Sequence, residues 1–213
     1  MNTAFEPWQP PILPVVGGPG FPTRRIFCVG RNYAAHAREM GANPDRELPC
    51  FFAKPTDSLH IGGGAVPYPP ATQDLHHEVE LVVAVGPDAQ IFGYAVGLDM
   101  TRRDLQNDAK SRRWPWALAK GFDGAAPIGE LVTGADPSGA IWLEVNGERR
   151  QQGDLADLIW PVAEILVELG KLTPLRAGDL IFTGTPAGVG PVVPGDRLVA
   201  HIDGLPELSV LIA

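Results

Sequence analysis

The apolar residues of this chain fall in short runs closed by glycine or proline, the pattern of many strands joined by turns. Residues 25–30, 50–53, 76–83 and 91–100 predict four strands, with Gly93 and Gly97 marking a bulge or close backbone approach in the last. Residues 141–149 predict a strand that turns at Asn146-Gly147, a dipeptide suited to a two-residue hairpin. A short β segment begins at Ile128, residues 180–183 read as a buried strand, and 195–212 as two strands around a turn. Helical spacing is rarer. Residues 34–40 predict a short helix with Asn32 as its N-cap and Gly41 as its stop. Thr101 and Asp104 bracket a second helix start, and that helix runs through Gln106 towards Lys110. The third places Pro161 at its first position, a core-facing stripe of Val162, Ile165, Leu166 and Leu169, and Gly170 at its end.

Residues 1–23 break the pattern. Pro7, Pro10, Pro11, Pro14, Pro19 and Pro22 disfavour helix and central strand alike. A poorly structured arm is expected there, lying along the surface or a partner subunit. Residues 24–213 show no internal repeat and no dividing linker, so they read as one domain.

Composition narrows the function. A chain of 213 residues is long enough to bury a sizeable core. Its 25 glycines and 22 prolines lie between apolar runs, which points to turns and not to disorder. A net charge of −8 argues against a nucleic-acid partner, and it means that an anionic substrate needs local help from a metal or an arginine. Cys28 and Cys50 make no disulfide framework and suggest a reduced, cytoplasmic protein. No apolar run has the length of a membrane span, and no basic segment followed by an apolar one marks a leader.

Glu78 and Glu80 stand two apart in an otherwise apolar strand, which puts both carboxylates on one face. Like charges side by side call for water, a basic side chain or a cation. Asp99 closes the next apolar run, where an unsatisfied carboxylate is costly. Together the three offer hard oxygen ligands of the kind that suits Mg²⁺ or Mn²⁺. His36 and Glu39, three apart on a helix, can form a carboxylate-oriented imidazole base, although such pairs are also common on solvated faces. Lys120 has apolar neighbours, a setting in which most lysines simply extend to water. The glycine-rich loop 184–190 can present backbone N–H groups to an anion, but it has neither P-loop nor dinucleotide-binding spacing.

These segments, in this order, resemble the fumarylacetoacetate hydrolase superfamily, in its short single-domain form. The similarity runs from about residue 24 to 205. It is carried by residues 25–40, by His77-Glu78-Val79-Glu80-Leu81, by Asp99-Met100-Thr101 with Arg103, Asp104 and Gln106, by Leu118-Ala119-Lys120, and by the loop after Phe182-Thr183. The resemblance implies a mixed β-roll, mostly β with a few peripheral helices, and a homodimer. It implies Mg²⁺ or Mn²⁺ on Glu78, Glu80 and Asp99, and cleavage of a C–C bond in a 2,4-diketo or related 2-oxo acid. His36 would activate water, Glu39 would orient His36, and Lys120 would add positive charge. Gly184, Thr185 and the loop amides would hold the substrate carboxylate. Arg31, Tyr33, Arg103 and Gln106 would complete substrate binding. Within the family the chain looks most like the branch that splits fumarylpyruvate into fumarate and pyruvate in gentisate degradation. General acylpyruvate hydrolysis, oxaloacetate decarboxylation, isomerisation or decarboxylation of ring-cleavage products, and a non-catalytic metal-binding scaffold are the alternatives. A dicarboxylate needs a second anion contact, for which Arg31, Arg38, Arg102 and Arg103 are candidates.

Overall fold

A computed structural model describes residues 3–39 and 47–213. Seven strands form a mixed sheet in the order Cys50–Lys54, Arg25–Gly30, Asp179–Phe182, Val79–Val85, Ile91–Leu98, Ala126–Ile128, Leu59–Ile61. Five more form a second sheet: Glu148–Asp154, Ala140–Val145, Arg197–Ile202, Leu208–Ile212, Gly64–Val66. Thr101–Arg102, Leu75–His77 and Gly190–Val192 make a small third one. The helices are α1 (Ala34–Glu39), α2 (Arg103–Arg112), α3 (Ala117–Lys120) and α4 (Val162–Leu172). This is the β-rich, mixed-sheet fold that the resemblance implied.

Alternation explains how the layers stack. In Ala140–Val145, Arg197–Ile202 and Leu208–Ile212 every second residue is buried, so the five-stranded sheet has one apolar face. That face meets Val79, Leu81, Val96 and Leu98 of the larger sheet. The other face of the larger sheet carries Val82 and Ala84, which pack with Phe182, Leu13 and Phe21. Val83 and Val85 meet Ile165 and Leu169 of α4. The strand Val79–Val85 is therefore buried throughout. In the five-stranded sheet the hairpin of Ala140–Val145 and Glu148–Asp154 turns at Asn146-Gly147, both at positive φ, between the paired residues Val145 and Glu148.

Several expectations are corrected. Residues 3–11 form no strand or helix, but the rest of the expected arm is structured: Ile12–Leu13 pairs with Phe21–Pro22, and Leu13, Val15 and Phe21 enter the core. Backbone bonds Val16 N to Leu131 O and Leu131 N to Pro14 O, both 2.9 Å, tie the segment down. Pro22 is tolerated in a two-stranded pair, where both strands are edges, and Pro7, Pro10, Pro11, Pro14 and Pro19 lie outside any strand. The glutamate segment is not one strand. It breaks at Glu78, passing from the small sheet to the large one. Gly170 does not end α4, which continues to Leu172, and Pro161 is its N-cap and not its first residue. Asn32 does not cap α1. Its amide group binds the Trp160 backbone in both directions and Thr183 O, locking the start of α1 to the core. The predicted stop at Gly41 and residues 44–46 of the expected polar loop lie outside the described residues.

Candidate active site

The strand break builds the site. Asp99 follows Ile91–Leu98 and donates its backbone N–H to Glu78 O at 2.8 Å, so the two residues face one another across the sheet. Glu80 pairs in register with Gly97, which has no side chain to cover it. All three carboxylates are buried, and one ligand oxygen from each lies within 4.8 Å of the others.

Three buried cations surround them. Lys120, at the end of α3, reaches Glu78 Oε2 at 2.8 Å and Asp99 Oδ2 at 2.7 Å. Arg103, opening α2, holds Glu78 Oε1, and its second branch donates to Gln106 Oε1. Lys54 sits 2.7 Å from Asp99 Oδ1 while donating to Met100 O, Ala125 O and Lys120 O. Against the desolvation of burial, Lys120 and then Arg103 hold the Glu78 carboxyl well below the usual carboxylate range. Desolvation also opposes the charge on Lys120, but Asp99 and Glu78 prevail and raise its pKa.

Glu80 is different. Its one protein partner is Gly184 N–H, on Oε2 at 2.7 Å, and no basic side chain pairs with it among the described residues. Burial, then the neighbouring Asp99 and Glu78, push its pKa well above the ordinary value. A buried carboxylate left without a counter-charge, beside Asp99 and Glu78, fits the donor set of a hard divalent cation. These three residues would hold Mg²⁺ or Mn²⁺.

Above this floor opens a pocket lined by His36, Thr185, Arg31, Gln106, Lys110 and Trp116 as well as the acidic residues. His36 is buried, and its Nδ1 lies 3.2 Å from Glu39 Oε2. A carboxylate only accepts there, so Nδ1 carries a proton, and in the neutral ring the free lone pair is on Nε2. Glu39 also accepts from Gly188 N–H, joining α1 to the loop 184–190.

Most of the sequence-derived set converges on the pocket, but Glu39, Tyr33 and Gly184 do not line it, Glu39 reaching it only through His36. Tyr33 is buried in the core, its hydroxyl unpartnered and its pKa raised by desolvation, because its ring packs among apolar side chains. Gly184 serves Glu80 through its amide, and a side chain there would crowd Asn32 Cβ at 2.6 Å with φ at +100°. The loop amides of Gly184 and Gly188 thus bind the protein's own carboxylates. Arg103 lines the pocket with its guanidinium already engaged, whereas Arg102 stacks on Phe122 and does not line it. The sequence reading missed Lys54 and Lys110. Lys54 ends an apolar run, the one signal that its ammonium is buried. Lys110 is half-buried over the Trp116 ring at 5.4 Å, and desolvation, then Arg103 and Arg31, lower its pKa.

A family model for the fumarylacetoacetate hydrolase C-terminal region matches residues 25–212. Fumarylpyruvate hydrolase from Pseudomonas aeruginosa, solved in complex with Mn²⁺ and pyruvate, is 46% identical, with a TM-score of 0.95 over 100% of this chain and 99% of that one. A mitochondrial oxaloacetate tautomerase from Arabidopsis thaliana is 44% identical over 87% of this chain and 89% of its own length. The human protein of that description is 40% identical over 87% of this chain and 90% of its own. Among the described residues no helix is long and apolar enough to cross a membrane.

Proposed function

Because the chain belongs to the fumarylacetoacetate hydrolase family, we propose that it is a divalent-metal-dependent C–C hydrolase acting on a 2,4-diketo acid, with fumarylpyruvate the preferred substrate. One observation carries the choice of a dicarboxylate. Arg31 and Lys110 line the pocket, and neither pairs with a carboxylate among the described residues. In a chain of net charge −8, two such cations above a carboxylate–lysine floor suit a substrate charged at both ends.

Bound at Glu78, Glu80 and Asp99, the cation would supply Lewis acidity to the carboxylate and 2-oxo group of the substrate. Lys120 adds fixed positive charge beside that end, where negative charge develops. Thr185 and Gln106 orient it. Nε2 of His36 takes a proton from water as the water oxygen adds to C4, and Glu39 stabilises the imidazolium. The C3–C4 bond then breaks, and its electron pair stays with the pyruvate fragment as an enolate. The other fragment leaves as a new carboxylic acid, which releases its proton to solvent to give fumarate. His36 returns its proton to C3, giving pyruvate, so water and substrate account for both products.

A second reading has support from the tautomerases at 40–44% identity. Moving a proton between C3 and the 2-oxo oxygen of oxaloacetate needs the His36 base but no attacking water. Assay of Mn²⁺-loaded protein on fumarylpyruvate, acetylpyruvate and oxaloacetate separates the readings. We expect fumarylpyruvate to win in kcat/KM by roughly tenfold to several hundredfold, the scale of one charged hydrogen bond, and Arg31→Met to erase most of that margin. Equal turnover of acetylpyruvate would replace the dicarboxylate claim with general acylpyruvate hydrolysis. Rapid enol–keto conversion of oxaloacetate with no cleavage of fumarylpyruvate would favour the tautomerase.

A further inference from the structure

Gln151 lies in the polar strand Glu148–Asp154, whose neighbouring residues are mostly exposed, yet it is fully buried. Its amide meets four groups. Oε1 receives Val79 N–H at 3.0 Å and faces His77 Nδ1 at 2.9 Å. Nε2 donates to Pro186 O at 2.9 Å and to Thr185 Oγ1 at 2.7 Å. Two of these partners act in one direction only. A backbone N–H can only donate and a proline carbonyl can only accept, so the orientation of the amide is fixed without reference to Thr185. His77 must then donate from Nδ1.

The consequence falls on Thr185. Its oxygen is obliged to accept from Gln151, so its single hydrogen is left over. No acceptor for that hydrogen exists among the described residues, and Thr185 lines the pocket beside Glu80 and Lys120. We infer that Gln151 is a positioning residue that makes Thr185 a committed donor to a carboxylate or keto oxygen of the ligand. A threonine free to rotate would donate in some orientations and present only lone pairs in others, and lone pairs would repel an anion. The polarity of this side of the pocket is thus set from Val79, the residue between the two glutamates of the floor. The inference rests on the pocket being a 2-oxo acid site, and the experiment separates the two claims.

The full-length protein is saturated with Mn²⁺ and titrated with pyruvate by calorimetry, alongside Gln151→Met, Thr185→Val, the double variant and Thr185→Ser. Methionine keeps the volume of Gln151 and loses both of its donors. We expect Gln151→Met and Thr185→Val each to weaken pyruvate about tenfold, the size of one buried hydrogen bond. The double variant should be no weaker than Thr185→Val alone, and Thr185→Ser should bind like the parent protein. Affinity for Mn²⁺ should be unchanged in Gln151→Met, whereas general damage around Val79 would weaken metal and pyruvate together. Multiplying losses in the double variant, or a Gln151→Met protein that binds pyruvate normally, overturns the inference. Should Gln151→Met fail to fold, Gln151→Leu and Thr185→Val are compared in the same way. A parent protein that binds Mn²⁺ but not pyruvate overturns instead the reading of the pocket as a 2-oxo acid site.

Discussion

Replacing Lys54 with methionine tests the charge arrangement of the floor. The Lys54 side chain is wholly buried, its ammonium 2.7 Å from Asp99 Oδ1 and hydrogen-bonded to three carbonyls. Methionine keeps most of the stem, so packing changes little. What is lost is one of the two counter-charges on Asp99, Lys120 being the other, and the donor to three buried carbonyls. Removing one partner of a buried pair costs about 3–5 kcal/mol. With a urea m-value of about 2 kcal/mol/M, the midpoint in the presence of a chelator should fall by roughly 1.5–2.5 M. A divalent cation supplies positive charge to the same carboxylates. Saturating Mn²⁺ should therefore narrow the gap between Lys54→Met and the parent protein, because the variant gains more from binding. Urea unfolding followed by circular dichroism, with chelator and with Mn²⁺, gives both numbers. A midpoint shift of less than about 0.3 M with chelator, or a gap that stays the same with Mn²⁺, would refute the reasoning.

Two other perturbations follow from the site. Glu80 has a raised folded-state pKa, so the metal-free fold is favoured below the ordinary glutamate pKa and loses stability as pH rises through the raised value. Melting temperature in chelator should fall with pH over that range, and Glu80→Gln should flatten the fall while abolishing Mn²⁺ binding in calorimetry. His36→Ala should keep Mn²⁺ and pyruvate affinity but lose roughly 10²–10⁴-fold in kcat on fumarylpyruvate, and near-normal turnover would remove it as the base.

The acidic trio and the His36–Glu39 pair were legible because their meaning lies in short spacings, two residues on a strand and three on a helix. The strand break at Glu78 was not. Alternation places Glu78 and Glu80 on one face whether or not the chain changes sheets between them, and only pairing with Thr101–Arg102 and Gly190–Val192 shows the break. Lys54 and Gln151 were hidden for a related reason. A lysine ending an apolar run usually extends to water, and a glutamine in a polar hairpin strand usually faces it. Both are buried here by partners about fifty or more residues away along the chain. Proline counting misled at residues 12–23, because Leu13, Val15 and Phe21 carry enough apolar surface to dock the segment even though its prolines prevent a long strand. The sheet order was out of reach: Asp179–Phe182 inserts between Arg25–Gly30 and Val79–Val85, and no local pattern states which strands meet.

Glu78, Glu80 and Asp99 are matched in number by Lys54, Lys120 and Arg103, so the floor carries no formal net charge before a metal arrives. The lysines that stabilise the carboxylates also repel an incoming cation. Once loaded, the floor holds two positive charges in excess in a place from which water is largely excluded. An anionic ligand relieves that excess, and the metal relieves the anion's own desolvation. On the proposed function, metal and substrate would then be heterotropic partners, each raising the affinity of the other by one shared factor. Occupancy by the cation becomes a property of the pair, set by the anion present as much as by the protein.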